Sequence, residues 1–242
     1  MPLKAIVFDI YSTLFHNETS YWMDTFRDIC RIQGLPIPPE EFWGSWRSIE
    51  VRFRQARTSL EHPDKSPPFR TYQSAWIEAF ATTFDTLGIR GDPDQAAQMS
   101  VEALASREPY EDTFPFLEYV GLRWKKAVLS NADNASIVPL LLRHRLPFDA
   151  VLTSEMARAY KPDPRVFHSV LGEMGVLPEE ALYVGDTLLD DIHGAKLAGM
   201  VAVWLNRNGG DRDPWLLPPD YEVRGLNELM NLLESWKEVG PR

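Results

Sequence analysis

Ala5-Ile6-Val7-Phe8-Asp9-Ile10-Tyr11-Ser12-Thr13 is the stretch on which the fold turns. A short β-branched and aromatic run that stops at a carboxylate is the pattern of a strand buried on both faces, with a functional group at its carboxyl end. The same shape recurs at Lys126-Ala127-Val128-Leu129-Ser130-Asn131, Ala150-Val151-Leu152-Thr153, Ala181-Leu182-Tyr183-Val184-Gly185-Asp186 and Val201-Ala202-Val203-Trp204. Helical patterns over 136–142, 164–174 and 190–198 lie between these runs, and another covers 226–237. Strands alternating with helices predict an α/β fold, a parallel sheet flanked by helices on both faces. In such sheets ligands bind beyond the carboxyl ends of the strands.

Residues 16–108 contain no comparable strand run. They show helical periodicity over 21–33, 40–57, 71–87 and 94–106, broken by turn-rich stretches at 36–39, 62–68 and 88–93. The expected organisation is an α/β core over 1–15 and 109–242 with a helical insertion at 16–108. A length of 242 residues accommodates this, since single domains usually run to about 100–150. With 44% hydrophobic and 25% charged residues the chain has material for a core, which excludes a largely disordered protein.

The formal net charge of −10 disfavours nucleic acid and anionic membrane as partners, and the expected partner is a small molecule. No stretch approaches the length of a membrane span. The apolar run before Asp9 is too short for a signal-peptide core. Cys30, the single cysteine, can form neither an intramolecular disulfide nor a thiolate cluster. A cytoplasmic protein is expected.

Asp9, directly after the first strand, stands where a carboxylate can act as a nucleophile. Ser130 and Asn131 end the second strand, Lys161 lies in Tyr160-Lys161-Pro162-Asp163-Pro164, and Gly185-Asp186-Thr187-Leu188-Leu189-Asp190-Asp191 ends the fourth. In this order the segments resemble the four motifs of the haloacid dehalogenase superfamily: an Asp-initiated loop, a Ser or Thr, a Lys and a Gly-Asp acidic loop. The resemblance spans roughly 1–15 and 110–210, and the helical insertion falls where that family carries its cap. It implies a Rossmann-like core with Asp9 as the nucleophile that forms a covalent ester. It further implies Lys161 as the cation that keeps Asp9 ionised, and Ser130 with loop N–H groups as the grip on anionic oxygens. Tyr11, Thr13 and Asn131 are the further candidates for substrate contact. By the same resemblance Mg²⁺ would sit among hard oxygen ligands from Asp9, the Tyr11 carbonyl, Asp186 and Asp191.

Two departures from the family pattern bear on the reaction. Phosphatases of this family carry a second Asp two residues after the nucleophile to protonate the leaving oxygen, and here that residue is Tyr11. Losing a general acid costs about 10²–10⁴-fold on a basic leaving group, whereas halide needs no proton. The 2-haloacid dehalogenase branch has Tyr at this position, and Trp46-Arg47-Ser48-Ile49-Glu50-Val51-Arg52-Phe53 resembles the segment from which it presents an Arg, here Arg47, to substrate. Those dehalogenases use no metal and lack the acidic pair, while this chain retains Asp186, Asp190 and Asp191. The leading expectation is an Mg²⁺-dependent phosphatase of a small metabolite with a good leaving group. The alternatives are a metal-independent 2-haloacid dehalogenase and a catalytically weak binding module. Ser12 also stands where most members have Gly.

Overall fold

The computed structural model describes residues 2–59 and 65–239, so the turn expected over 62–68 lies partly outside the described residues. Six strands form one sheet: β1 (Ala5–Phe8), β2 (Lys125–Ser130), β3 (Ala150–Thr153), β4 (Ala181–Gly185), β5 (Val201–Leu205) and β6 (Tyr221–Val223). The helices are α1 (Thr19–Gln33), α2 (Pro39–Ala56), α3 (Tyr72–Leu87), α4 (Pro93–Ala105), α5 (Thr113–Gly121), α6 (Asn134–Arg143), α7 (Ser154–Ala157), α8 (Pro164–Met174), α9 (Gly194–Leu197) and α10 (Leu226–Val239). The strands run in the order β3-β2-β1-β4-β5-β6, and every pairing is parallel. The order reverses direction at β1, and this switch point is where a parallel α/β sheet opens its ligand crevice. Phe8 is level with Val128 on one side and Val184 on the other, so β1, β2 and β4 end within two residues of one another.

The chain divides into two compact units. One comprises Met1–His16, Glu108–Asn131 and Pro147–Arg242; the other comprises Asn17–Arg107 and Ala132–Leu146. In the first, all of β1 is solvent-free, as its unbroken apolar run requires. One face of the sheet is covered by α8 and α9, where Phe167 meets Tyr183 edge-on at 5.1 Å. On the other, Phe116 of α5 meets Phe8 edge-on at 6.0 Å, and α10 packs on α5. Neither β6 nor α5 is marked by the sequence patterns. β6 is three residues long with Glu222 at its centre, an edge strand with too little alternation to register. In α5, Pro115 reads as a breaker, yet it occupies the first turn, where a missing N–H costs nothing. The single helix expected over 190–198 is instead a π-helical turn, Leu188–His193, followed by α9.

The second unit is a helical assembly with an aromatic core. Trp76, Phe80 and Phe84 recur every four residues on α3, and Phe42 and Trp46 do so on α2. Trp46 stacks on Phe80 at 5.3 Å and Phe42 on Phe84 at 5.4 Å. The helix ends follow local chemistry: Asp92 caps α4, with Pro93 at its first position, and Gly34 and Gly88 close α1 and α3 in the left-handed conformation. Residues 132–146 group with this unit, whereas the sequence assigns them to the core. The link is physical: both Asp133 oxygens accept the first N–H groups of α3, from Tyr72 and Gln73 at 2.8 Å each, and α6 packs on α4. Cys30 is buried among these helices. Among the described residues no helix is long and apolar enough to cross a membrane.

Candidate active site

Asp9 N still donates to Val184 O at 3.0 Å, so the sheet fixes the residue that leaves it. The chain then folds tightly: Leu14 N and Phe15 N both donate to Ile10 O at 2.8 and 2.9 Å, and Ser12 N donates to Phe15 O at 2.7 Å. Closing this turn puts Ser12 at φ 62°. That left-handed conformation costs a residue with a Cβ about 1–2 kcal/mol.

The Asp9 carboxylate is buried, and its Oδ1 accepts from Ser130 Oγ at 2.9 Å and from Lys161 Nζ at 2.8 Å. Lys161 lies in the turn before α8, where Asp163 caps the helix by accepting Arg165 N at 2.9 Å. This loop rests on Gly194, where a Cβ would fall 2.9 Å from Pro162 Cα. Lys161 is only 2% exposed, and its three ammonium protons are all committed. Besides Asp9 they serve Tyr183 OH at 2.8 Å and Asp191 Oδ1 at 2.5 Å. Asp191 Oδ1 also faces Tyr183 OH at 3.0 Å, and its Oδ2 accepts Thr187 N at 2.9 Å and Thr187 Oγ1 at 2.7 Å. Tyr183 has one hydroxyl proton for two acceptors at 3.0 Å, Asp191 Oδ1 and Leu129 O.

Gly185 explains how Asp191 comes so close. A Cβ there would lie 2.4 to 2.6 Å from Asp191 Cγ, Cβ and Oδ2. Gly185→Ala must therefore push Asp191 off Lys161, and a loss of about 1–3 kcal/mol is expected in denaturant titration. An unshifted midpoint would show that Asp191 accommodates the methyl group.

Asp186 is half-buried beside this group, its carbonyl accepting Trp204 Nε1 at 2.9 Å. Asp9, Asp186 and Asp191 each offer a carboxylate oxygen within 4.8 Å of the others. The electrostatics follow from three acids against one ammonium. Burial pushes the Asp9 carboxyl up to about 6, with Lys161 pulling it down and Asp191 adding to the rise. Burial, then the charges of Asp191 and Asp9, hold Asp186 well above the usual carboxylate range. Burial works against the Lys161 ammonium, but Asp191 and Asp9 outweigh it and raise its pKa. The Tyr183 hydroxyl is raised too, by burial and then by Asp191 and Asp9, so it stays a donor.

A hard divalent cation suits this donor set, which is all oxygen and carries excess negative charge. Asp191 accepts from Lys161 Nζ on one oxygen and from Thr187 N and Oγ1 on the other, so it anchors Lys161 as well as belonging to this acidic group.

Two of the residues expected at the substrate have partners within the fold. Asn131 holds the main chain of Lys161, accepting its N–H at 2.8 Å and donating to its carbonyl at 3.0 Å. Thr13 is wholly enclosed, and its carbonyl accepts Arg207 Nη2 at 3.1 Å. Tyr11 is half-buried and pairs with Phe15 in a one-residue parallel bridge. In the helical unit, Arg47 Nη1 donates to the buried Glu50 Oε2 at 2.7 Å, and Arg54 Nε holds the other Glu50 oxygen at 3.0 Å. Sequence patterns pass over Tyr183 and Trp204. The signal is a polar-tipped aromatic in a fully buried strand, whose O–H or N–H must find a partner.

A family model described as haloacid dehalogenase-like hydrolase matches residues 3–199. A phosphoserine phosphatase from Thermus thermophilus is 35% identical over 94% of this chain and 98% of its own length. An (S)-2-haloacid dehalogenase from a Pseudomonas species is 26% identical over 96% of this chain and 95% of its own. Among solved structures, an L-2-haloacid dehalogenase from Xanthobacter autotrophicus with chloropropionic acid covalently bound is 25% identical with a TM-score of 0.77. That match covers 96% of this chain and 98% of that one.

Proposed function

The chain belongs to the haloacid dehalogenase-like hydrolase family, and from that premise we propose that it is an Mg²⁺-dependent phosphatase of a small metabolite with a good leaving group. One observation carries the choice: three carboxylates, Asp9, Asp186 and Asp191, converge around the single ammonium of Lys161. A second cation satisfies that excess, whereas without one the raised Asp186 carboxyl must hold a proton instead.

Asp9 Oδ1 is committed to Ser130 and Lys161, which leaves Oδ2 to attack phosphorus. The attack forms an aspartyl phosphate, the P–O bond to the leaving group breaks, and water then hydrolyses the acyl phosphate. Lys161 keeps Asp9 ionised and oriented, Asp191 and Tyr183 hold Lys161, and Asn131 fixes its backbone. Mg²⁺, held by Asp9, Asp186 and the Tyr11 carbonyl, would neutralise charge on the phosphoryl oxygens. With Tyr11 where an acid would protonate the leaving oxygen, acyl and aryl phosphates suit the site better than alkyl ones. The lone cysteine accords with work in the cytosol.

A second reading, metal-independent 2-haloacid dehalogenation, is favoured by Tyr11 and by Arg47, presented on α2 with Glu50 beneath it. The test is product release by purified protein. Phosphate freed with Mg²⁺ from a panel of acyl, aryl and alkyl phosphates, phosphoserine included, supports the phosphatase. No phosphate from any of them, with chelator-insensitive chloride release from 2-chloropropionate, replaces it by the dehalogenase.

A further inference from the structure

The outgoing limb of the Asp9 turn is gripped by segments far from it in sequence, all within the sheet unit. His16 N donates to Glu108 O at 2.9 Å, Tyr110 N to Leu14 O at 3.0 Å and Thr113 Oγ1 to the same carbonyl at 2.7 Å. Arg207, two residues past β5, donates from Nη2 to the carbonyl of Thr13 at 3.1 Å. The same guanidinium forks onto Asp112, Nη1 to Oδ2 at 3.1 Å and Nη2 to Oδ1 at 2.8 Å, and its Cζ lies 3.9 Å from the Tyr110 ring centroid. Asp112 Oδ2 also accepts Leu226 N, the first residue of α10, at 2.8 Å. Gly225 leaves room for this, since a Cβ there would fall 3.1 Å from Asp112 Oδ2. Side-chain exposures of 15% for Arg207 and 12% for Asp112 keep the pair largely out of solvent.

We propose that Arg207, aligned by Asp112, is a positioning residue for the nucleophile, acting through the Thr13 carbonyl on the turn that carries Asp9. Neither residue lies in the four segments that carry the chemistry. The turn needs such a brace because Ser12 sits in a left-handed conformation, which persists only where the surroundings over-determine it. Guanidinium geometry is essential: one planar fork serves both carboxylate oxygens and the peptide carbonyl, which a lysine ammonium cannot reproduce. Displacing a reacting group by about 1 Å costs on the order of 10²-fold in rate.

The kinetic arm rests on the phosphatase reading, so the experiment has a second arm that does not. Amide hydrogen exchange is measured on wild type, Arg207→Met and Arg207→Lys, with β4 amides as internal reference. Exchange at Leu14 and Phe15 should quicken about 10-fold or more in both variants, the loss of a charge-assisted hydrogen bond, while β4 is unchanged. Phosphate release should fall about 10–100-fold in kcat with KM little altered, and Lys should not rescue it. A bond that only stabilises the fold would lower the melting temperature and leave kcat of the folded protein alone. Wild-type protection of the turn, or wild-type kcat, overturns the proposal. If wild type frees no phosphate at all, the phosphatase reading falls and exchange alone decides the brace. Should Arg207→Met fail to fold, Asp112→Asn is read the same way, with faster turn exchange expected and unchanged exchange overturning the proposal.

Discussion

Asp9→Asn should abolish turnover, by about 10⁴–10⁶-fold as for other enzymes stripped of their nucleophile, while the protein folds normally. An asparagine Oδ1 still accepts from Ser130 and Lys161, so the local geometry survives. What disappears is the oxygen that attacks. The same substitution should raise stability in chelator. The Asp9 carboxyl titrates at about 6 in the fold, against about 3.9 in an unfolded chain. A pKa raised by folding means that the contribution is whole below the unfolded value and lost as pH rises through the folded one. Wild type therefore loses stability between about pH 4 and pH 6, and Asn, which cannot ionise, does not. Above that window Asp9→Asn should melt at a higher temperature than wild type, with the gap closing toward pH 4. Retained phosphate release would remove Asp9 from the mechanism, and equal melting curves across the range would mean that its ionisation costs the fold nothing.

The elements best marked in the sequence are those in which local pattern and burial coincide. β1 and β4 are buried throughout, so their runs are continuous and are followed by a carboxylate, Asp9 or Asp186. Burial in a parallel sheet leaves that signature whatever surrounds it. Partnership leaves none. Asn131 reads in the sequence as a candidate substrate ligand, and only the approach of Lys161 shows that its amide clamps a peptide. Asp133, not Asn131, occupies the cap position of α6. Asp191 has the register of a metal ligand, yet the π-helical turn over Leu188–His193 and the missing side chain at Gly185 bring it onto Lys161. A π-turn changes which residues share a face, and a search for a 3.6-residue period misses it. Arg207 and Asp112 are 95 residues apart and meet only because β5 and α5 belong to one sheet unit.

Lys161→Met should be damaging twice over, and the two losses are separable. Catalytically it removes the cation that holds Asp9 ionised, a loss of about 10²–10³-fold or more for a single electrostatic contact to the reacting group. Structurally it leaves Asp9 and Asp191 buried and facing each other with nothing between them. Breaking a buried pair by removing one partner costs about 3–5 kcal/mol, because the other charge stays uncompensated. Lys161 here serves two acids, so the cost belongs at the upper end. Adding Asp191→Asn to Lys161→Met removes the more deeply buried of those charges, so the double variant should regain about 1–3 kcal/mol over the single one. Turnover should not return, since nothing then keeps Asp9 ionised. Denaturant melts and phosphate release on the four proteins of the cycle test both parts. Additive stabilities would mean that Lys161 and Asp191 do not act as a pair, and recovered turnover would mean that Lys161 matters to the fold alone.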